Sequence, residues 1–303
     1  MPMEDHRLKA FCLVVEMESF SKAAAAKFMT QSAMSHLIKN LEDELGVQLL
    51  IRRGKTVVLT PAGKIIYEHS VKIFEQYKKM DNDINMLVGQ IKGHLHIGSS
   101  TTAASYLLPQ VLYNFSKTHP EVQIQLSVSN TEGIMDDLQN GRIDLGIVEG
   151  KVKFVNILAE EIAEDEIVII ASEDNPLTAK QPLIASDLAS QSFIMPETGS
   201  GLREFIEEFF QASKIEPKDI KVSMTLANPE LIIQMVQSGL GISFVSKWSV
   251  FRAIKEGTIK LLKLPGKKLQ RKFYMINMSK EPSSMTSRAF IEFVRGYRFF
   301  IPF

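Results

Sequence analysis

The feature that most constrains the fold is the segment 31–45, in which apolar side chains recur at helical spacing between two helix-end signals. Thr30 stands directly before the segment and is suited to cap a helix, whereas Gly46 follows it and is suited to end one. The apolar positions are separated by steps of four, three and four residues, which predicts one buried stripe on a helix. This stripe consists of Met34, Ile38, Leu41 and Leu45.

Two further helices are predicted before this segment. Leu8, Phe11, Val14 and Val15 recur at helical spacing and indicate an amphipathic first helix. After a break at 18–20, Ser21 is placed to cap a short second helix over 22–28, whose four alanines allow close helix packing. Two short helices joined by a tight turn, the second of them amphipathic, are typical of a helix-turn-helix.

The polar side chains of the third predicted helix cluster in its first half. There they could reach base edges in the major groove of DNA, while the helix amino-terminus attracts a phosphate. Glutamine can pair with adenine through two hydrogen bonds, whereas serine and lysine are suited to phosphate contacts. The acidic residues 42–44 lie at the far end, where repulsion from DNA matters less. The candidate contacts are Gln31, Ser32, Ser35, His36 and Lys39.

Residues 49–60 predict a two-stranded hairpin with a cationic tip at Arg53-Gly54-Lys55, preceded by Arg52. A cationic tip beside a recognition helix suits phosphate or minor-groove contact, as in a wing. The alternative is a solvated hairpin on an unrelated small domain.

The stretch from Pro61 to about residue 90 has no internal proline and predicts one helix roughly 40 Å long. Its apolar seam steps alternately by four and three residues, which indicates a heptad pattern that pairs two chains. The alternative is a helix that packs against its own domain. The seam consists of Ile66, Ser70, Ile73, Tyr77, Met80, Ile84 and Leu87.

Length and composition limit the remaining possibilities. A chain of 303 residues is too long for one core, and its 35 basic and 35 acidic residues cancel, so binding to nucleic acid must depend on local geometry. Cys12 is the one cysteine and cannot form an internal disulfide, and its apolar neighbours predict burial. Because neither a signal peptide nor a membrane span is predicted, we expect the chain in a reducing cytosol.

The last two hundred residues alternate between strand and helix patterns, which predicts an α/β fold with a largely parallel sheet flanked by helices. Strands are predicted at 95–98, 122–128, 143–148, 166–171, 192–195, 221–226, 241–245 and 271–277. Helices are predicted at 105–117, 134–140, 201–212, 229–238 and 283–298.

Ligands of open α/β sheets bind beyond the carboxyl ends of the strands, where helices begin. Three such junctions, at 99–102, 197–203 and 227–229, carry hydroxyl, glycine or asparagine residues suited to a small anion or carboxylate. The same residue types also cap helices without any ligand. Glu149 would oppose an anion unless it is protonated or held by Arg203, and the sequence leaves this open. The candidates are Ser99, Ser100, Thr101, Thr102, Glu149, Thr198, Gly199, Ser200, Arg203 and Asn228.

The amino-terminal motifs closely resemble the signature of LysR-type transcriptional regulators, in both order and spacing. The matching runs are Thr30-Gln31-Ser32-Ala33-Met34-Ser35-His36, Leu41-Glu42-Asp43-Glu44-Leu45-Gly46, Arg52, and Leu59-Thr60-Pro61-Ala62-Gly63. The resemblance implies that Gln31, Ser35, His36 and Arg52 contact operator DNA. The chain departs from the family pattern at His36, where arginine is common, and at Leu50, where phenylalanine is common. The first departure puts base preference at that position in doubt.

The resemblance also implies an architecture. A winged helix-turn-helix and a long dimerisation helix would precede two Rossmann-like subdomains, similar to a type II periplasmic binding protein, with an effector cleft between them. Pairing through residues 64–90 would give a homodimer, and the family further implies a homotetramer. Ser100 and Thr102 match effector-contacting positions, and Glu149 with 198–203 resembles the branch concerned with sulfur assimilation. The implied boundaries are 1–63, 64–91 and 92–303, with subdomain I at 92–163 and 267–303 and subdomain II at 164–266.

We therefore expect a regulator that binds double-stranded promoter DNA under the control of a small, anionic effector. A solute-binding carrier with the same cleft, or an α/β enzyme with a fused DNA-binding head, is the alternative. Neither a phosphate-binding loop nor a nucleophile elbow is present, and His94 and His96 lack a nearby third ligand. These observations predict no catalysis, no metal and no cofactor.

Overall fold

The computed structural model describes residues 5–53, 56–152, 154, 156–180, 182–266, 268–279, 282 and 284–299. The chain divides into two compact units, Met1–Val88 and Gly89–Phe303, and each is described by itself. Gly54 and Lys55 of the predicted wing tip, and residue 267 at a predicted subdomain boundary, lie outside the described residues. The domain boundaries inferred above stay predictions.

The first unit contains a three-helix arrangement followed by an antiparallel hairpin and a long helix. Its core is formed by buried side chains from all of these elements, with Phe11, Val14, Met34 and Leu49 fully enclosed. The elements are α1 (His6–Met17), α2 (Phe20–Ala26), α3 (Gln31–Leu45), β1 (Leu50–Arg53), β2 (Thr56–Leu59) and α4 (Pro61–Leu87).

The end signals of α3 act as predicted. The Thr30 hydroxyl accepts a hydrogen bond from the Ala33 amide at 3.2 Å, and Gly46 ends the helix at a φ of 65°. Two details of the prediction are wrong. Leu45 is 41% exposed and lies outside the buried stripe. The second helix is capped by Ser19, which accepts from the Lys22 amide at 3.3 Å, and not by Ser21.

Helix α4 uses its apolar seam in two ways. Near its start, Ile66 packs against the core of the first unit, and Ser70 is 1% exposed. Near its end, Ile84 is 48% exposed and Leu87 is 87% exposed. The seam is therefore partly used inside the unit and partly open on the single chain.

Cys12 is buried, as predicted. Burial is the main reason that the pKa of its thiol is raised to about 11. The side chain therefore remains a neutral thiol near pH 7 and serves as a small apolar packing group.

The second unit is built on one continuous mixed sheet, in the order β10-β6-β11-β5-β3-β4, with β9 also paired to β6. A separate parallel pair joins β7 and β8. The strands are β3 (Gly93–Ser100), β4 (Val122–Ser129), β5 (Leu145–Glu149), β6 (Leu158–Ala171), β7 (Phe193–Pro196), β8 (Val222–Leu226), β9 (Ser243–Ser246), β10 (Lys260–Leu262) and β11 (Leu269–Asn277). A π-helical turn (Ala103–Leu107) precedes α5 (Leu108–Thr118), and the other helices are α6 (Thr131–Gln139), α7 (Ala185–Ala189), α8 (Gly201–Ala212), α9 (Pro229–Gln237), α10 (Lys247–Lys255) and α11 (Met285–Gly296).

The prediction of a largely parallel sheet is only partly right. Strand β3 pairs in parallel with β4 and β5, but β11 pairs antiparallel with both β5 and β6. The reason is that the chain passes from one hydrophobic core to the other along β6 and returns along β11. The two long strands therefore run in opposite directions. Ile162 packs with the core that contains Phe115 and Phe290, whereas Ile167 packs with the core that contains Phe193 and Phe244.

The cap of α3 gives a first test. We expect Thr30→Ala to destabilise the first unit by about 1 kcal/mol, because the Ala33 amide loses its acceptor. Thr30→Ser keeps a hydroxyl at the same position and is expected to stay within a few tenths of a kcal/mol of the parent. Urea denaturation of both variants, followed by circular dichroism, measures the difference. Equal stability of the two variants would contradict the assigned cap.

A second test concerns the start of α8, which closely approaches the end of β5. A Cβ added to Gly201 would overlap the carbonyl oxygen of Glu149, a backbone atom that cannot move aside cheaply. We expect Gly201→Ala to cost about 1–3 kcal/mol, as overpacking does elsewhere. Gly296→Ala is the matched control, because a Cβ there meets nothing within 4 Å. Thermal unfolding compares the two, and equal melting temperatures would argue against this close approach.

Candidate functional site

Most of the α3 side chains that the sequence predicts to contact DNA are exposed on the surface of the helix. Gln31, Ser32, His36 and Lys39 are exposed, and the Ser32 hydroxyl lies 3.0 Å from that of Thr30. Ser35 differs, because it is half-buried and its oxygen is shielded from solvent without a hydrogen-bond partner among the described residues. Arg52 and Arg53 lie in strand β1 of the hairpin.

The acidic end of α3 has a structural role that the sequence did not reveal. The Glu42 carboxylate accepts hydrogen bonds from the amides of Leu49 at 2.7 Å and Leu50 at 3.2 Å, which fixes the base of the hairpin to the helix. Glu44 forms an ion pair with Arg7 of α1. These two carboxylates are therefore used to position neighbouring elements.

A small cavity lies at the carboxyl ends of β3 and β5 and faces the first turns of α6, α8 and α9. Each of these helices is capped by a side chain, from Asn130, Ser200 and Asn228 respectively. The cavity has a volume of about 20 Å³, room for one or two water molecules. Its lining residues are Ser100, Thr101, Thr102, Asn130, Thr131, Glu149, Pro196, Glu197, Ser200, Leu202, Ala227, Pro229 and Ile232.

The structure places the predicted site residues in three groups. Five of them line this cavity, namely Ser100, Thr101, Thr102, Glu149 and Ser200. Thr198, Gly199 and Arg203 line a neighbouring cavity of about 260 Å³, together with Ser200. The remaining two lie elsewhere, since Ser99 is fully buried in β3 and Asn228 is exposed and accepts from the Glu230 amide at 2.8 Å.

Thr102 has an uncommitted hydroxyl. The residue is buried and lines the cavity, yet its side chain does not cap the helical turn that follows it. Across the described part of the chain, no hydrogen bond is made by this hydroxyl. Because this hydroxyl belongs to a residue that lines the cavity and can both donate and accept, it is suited to bind a ligand or a water molecule there.

A chain of buried polar groups continues from the cavity into the sheet. The Ser100 hydroxyl donates to Glu149, and the other Glu149 oxygen lies 3.5 Å from Nη1 of Arg271. Nε of Arg271 donates to Asp165 at 2.7 Å, and Asp165 also accepts from the Ser246 hydroxyl at 2.6 Å. Arg271, Glu149 and Asp165 are all buried, so these ion pairs are little screened by solvent.

This network settles which cation faces Glu149. Arg271 forms the ion pair with Glu149, whereas Nε of Arg203 bonds to Glu207 at 2.5 Å and its Nη1 donates to the carbonyl of Pro196 at 3.3 Å. The predicted alternative of a Glu149–Arg203 pair is therefore wrong. The physical reason is that Arg203 is held by its own helix and by the preceding strand, on the side of the neighbouring cavity.

Sequence reasoning missed several lining residues and the arginine behind them. Asn130 and Thr131 carried a usable signal, since an asparagine between a strand and a helix pattern indicates a cap at a strand end. Pro196 and Glu197 extend the junction already predicted at 197–203. Arg271 gave no local signal, because it is one of two adjacent cations within a strand pattern, and nothing in the pattern reveals that Arg271 is the buried one.

Hydrogen bonds join the elements on opposite sides of the small cavity and close the cleft in which it lies. The Tyr106 hydroxyl donates to Glu230 at 3.1 Å, and burial and then the nearby Glu230 carboxylate raise the pKa of Tyr106. The Asn130 side chain donates to the carbonyl of Thr198 at 3.3 Å, and the Glu132 amide donates to that of Gly199 at 3.2 Å. These contacts explain the small cavity volume.

Among the described residues, no group of three or more His, Cys, Asp or Glu side chains is placed to hold a metal ion. The His96 ring lies 2.8 Å from the Ser127 hydroxyl. Among the same residues, every helix is too short or too polar to span a bilayer.

Two family models together match nearly the whole chain. Residues 6–64 match the bacterial regulatory helix-turn-helix protein of the lysR family, and residues 89–298 match the LysR substrate binding domain. The chain is 31% identical to the uncharacterized HTH-type transcriptional regulator YeiE of Escherichia coli K12, over 95% of each chain. It is 28% identical to the HTH-type transcriptional regulator CysL of Bacillus subtilis, over 95% of this chain and 96% of that protein.

Solved structures share the fold. The full-length CbnR complexed with its target DNA superposes with a TM-score of 0.69 at 20% identity, covering 97% of this chain and 99% of CbnR. The regulatory domain of Synechocystis CcmR in complex with 2-PG has a TM-score of 0.62 at 26% identity, covering 67% of this chain and 96% of that domain. The amino-terminal match, the matched carboxy-terminal domain and the full-length relatives agree, and the chain is a LysR-type transcriptional regulator.

Proposed function

We propose that this regulator binds promoter DNA through α3 and the wing, and that a small anion in the cleft of the second unit modulates this binding. The observation that carries the proposal is the closed cavity, where Ser100, Thr102 and three helix starts converge on one small volume. Backbone amides at helix starts favour anions, and the hydroxyls add donors of adjustable direction. The complex of the CcmR regulatory domain with 2-PG supports a small-molecule ligand in this domain type.

Two kinds of DNA contact are assigned to residues of α3 and of the hairpin. Gln31 reads a base edge in the major groove. Base or phosphate contacts are assigned to Ser32, His36 and Lys39 of α3 and to Arg52, Arg53 and Lys55 of the hairpin. Ser35, which the family resemblance assigns to operator contact, would need to turn its shielded hydroxyl outwards. The complex of CbnR with its target DNA supports this use of the fold.

We infer a homodimer formed through residues 64–90 and, from the family, a homotetramer. The exposed seam residues Ile73, Ile84 and Leu87 support pairing, because a second helix would remove these apolar side chains from water. Two paired heads would read a two-fold repeated site. We also place the protein in the cytoplasm and assign it no catalytic activity. A carrier or an enzyme that uses the same cleft is the less favoured alternative.

Regulation follows from two arrangements of the effector domain. An anion shifts the population towards the arrangement that it binds more tightly, and only by its difference in affinity for the two. The arrangement of the cleft then changes how paired heads sit on DNA. The link to sulfur assimilation stays a prediction, since CysL is similar to this chain at an identity close to that of other relatives.

The base-reading role of Gln31 can be tested with DNA from upstream of the gene. We expect Gln31→Ala to cost about 1–3 kcal/mol in binding to the specific site and to relax base choice at one position. Arg52→Ala is the contrasting variant, since loss of a phosphate contact weakens binding to all sequences and reduces the salt slope by about one. Fluorescence anisotropy with operator and random duplexes distinguishes them. An equal loss on both duplexes for Gln31→Ala would remove its assigned role.

The cleft can be tested separately from DNA binding. Binding of sulfite, sulfate, phosphate and 2-PG to the full-length chain is measured by thermal shift, where a ligand at a hundredfold excess over Kd adds about 2.7 kcal/mol of stability. We expect Thr102→Val to lose this shift and still bind the operator, whereas Thr102→Ser retains a hydroxyl and keeps the shift. An unchanged shift in Thr102→Val would exclude this residue from the site.

A further inference from the structure

Arg271 is a buried cation with unused hydrogen-bond donors. It lies on β11 opposite Asp165 of β6, and its side chain is 4% exposed. Only its Nε has a hydrogen-bond acceptor, while Nη1 and Nη2 are buried without one among the described residues. A guanidinium carries five N–H donors and stays charged, and each buried donor left without an acceptor is costly. The unused donors therefore point to an acceptor that joins them in another state of the protein.

These donors lie directly behind the cleft. Glu149 lines the cavity and has one carboxylate oxygen 3.5 Å from Nη1 of Arg271, without hydrogen-bond geometry. Its other oxygen accepts from Ser100, which lines the same cavity. The Glu149 carboxylate therefore occupies the position between the cavity and the free donors of Arg271. An anion in that position would reach Arg271 and the Ser100 hydroxyl together.

The charges around Arg271 favour replacement of the Glu149 carboxylate by an incoming anion. One guanidinium faces two carboxylates, and Asp165 is held more firmly, since it accepts from Arg271 at 2.7 Å and from Ser246 at 2.6 Å. Glu149 has one hydroxyl donor and one loose ion pair. Adding an anion while Glu149 stays in place would bring a third negative charge to a single buried cation, which is strongly unfavourable. The anion must therefore compete with Glu149 for Arg271.

We propose that Arg271 is the specificity-determining cation of the effector site, and that it binds a small inorganic oxyanion in the place of the Glu149 carboxylate. This inference rests on the proposed function of the cleft. Two or three oxygens on one central atom match the fork of Nη1 and Nη2, which a lone carboxylate oxygen at 3.5 Å does not. The Ser100 and Thr102 hydroxyls complete the site, and its small volume excludes large organic anions from the closed form.

The test titrates the full-length chain with sodium sulfite and sodium sulfate, against sodium chloride at equal ionic strength. Trp248 is the single tryptophan, and its amide donates to Ser246, the partner of Asp165, so its fluorescence reports on this cluster. We expect at least one oxyanion to give a saturable change and a higher melting temperature than chloride. Arg271→Gln should weaken this binding at least about tenfold, and Glu149→Gln should tighten it about tenfold, because it removes the competing charge.

Lys272→Gln is the matched control. It removes a positive charge from the next residue of the same strand, where the side chain is exposed and pairs with Glu161 at 2.5 Å. Its affinity for the oxyanion should equal that of the parent. Should Arg271→Gln lose operator binding and thermal stability, Arg271→Lys replaces it, since lysine keeps the charge without the fork and should weaken binding while the protein stays folded.

The outcomes separate this inference from the proposed function. Oxyanion binding that survives in Arg271→Gln, or that fails to tighten in Glu149→Gln, would overturn the role of Arg271. So would a parent chain that responds to neither sulfite nor sulfate. If 2-PG nevertheless binds the parent and requires the Thr102 hydroxyl, the proposed function of the cleft stands without this inference. If the parent chain binds the operator but responds to none of the tested ligands, both this inference and the proposed function of the cleft would be wrong.

Discussion

The antiparallel pairing of β6 and β11 holds the second unit together, and the buried ion pair of Asp165 and Arg271 lies where these strands face each other. Each strand contributes side chains to two hydrophobic cores, so neither core can form unless the pairing is in register. The ion pair costs desolvation, but it is worth much more intact than broken, because a single remaining charge would be buried without compensation. It therefore disfavours a register slipped by two residues, which keeps the same face of the strand but would place Arg271 opposite Ala163 or Ile167 and leave both charges unpaired.

Contacts of the same ion pair connect it to the cavity and to α10. Arg271 pairs with Glu149, which accepts from Ser100 at the end of β3. Asp165 accepts from Ser246, which caps the start of α10. A ligand that changes the position of Glu149 would therefore alter the surroundings of the strands that join the two cores. Since the cleft is closed by Tyr106, Asn130 and Glu132, admission of a larger ligand requires those contacts to break. We expect the backbone changes of such an opening to occur in β6 and β11, the strands that join the two cores.

In the first unit, helix α3 both supports the fold and carries the proposed recognition surface. The buried stripe of α3 packs against α1, and Glu42 holds the base of the hairpin, so the exposed first half of the helix is presented on a rigid support. A site built on such a helix is more precisely oriented than one built on a loop. The exposed end of the α4 seam belongs to the same unit, and its apolar side chains Ile84 and Leu87 are open to solvent on the single chain.

Much of this molecule was determined by the sequence alone, wherever the deciding interactions are local. The cap at Thr30, the stop at Gly46, the hairpin, the long helix from Pro61 and the position of most strands all depend on residues within a few positions of one another. The hydroxyl residues at the end of β3 could be predicted for the same reason, since a strand followed by a helix start places them at a sheet edge.

Only the tertiary structure decided the rest. Arg271 and Asp165 are far apart in the chain, and nothing near either residue indicates that antiparallel pairing of two crossing strands buries them together. The partner of Glu149, the separation of Arg203 into a neighbouring cavity and the shielding of the Ser35 hydroxyl have the same origin. Capping and periodicity act over one or two turns, whereas the solvation and pairing of a charge depend on every element packed around it.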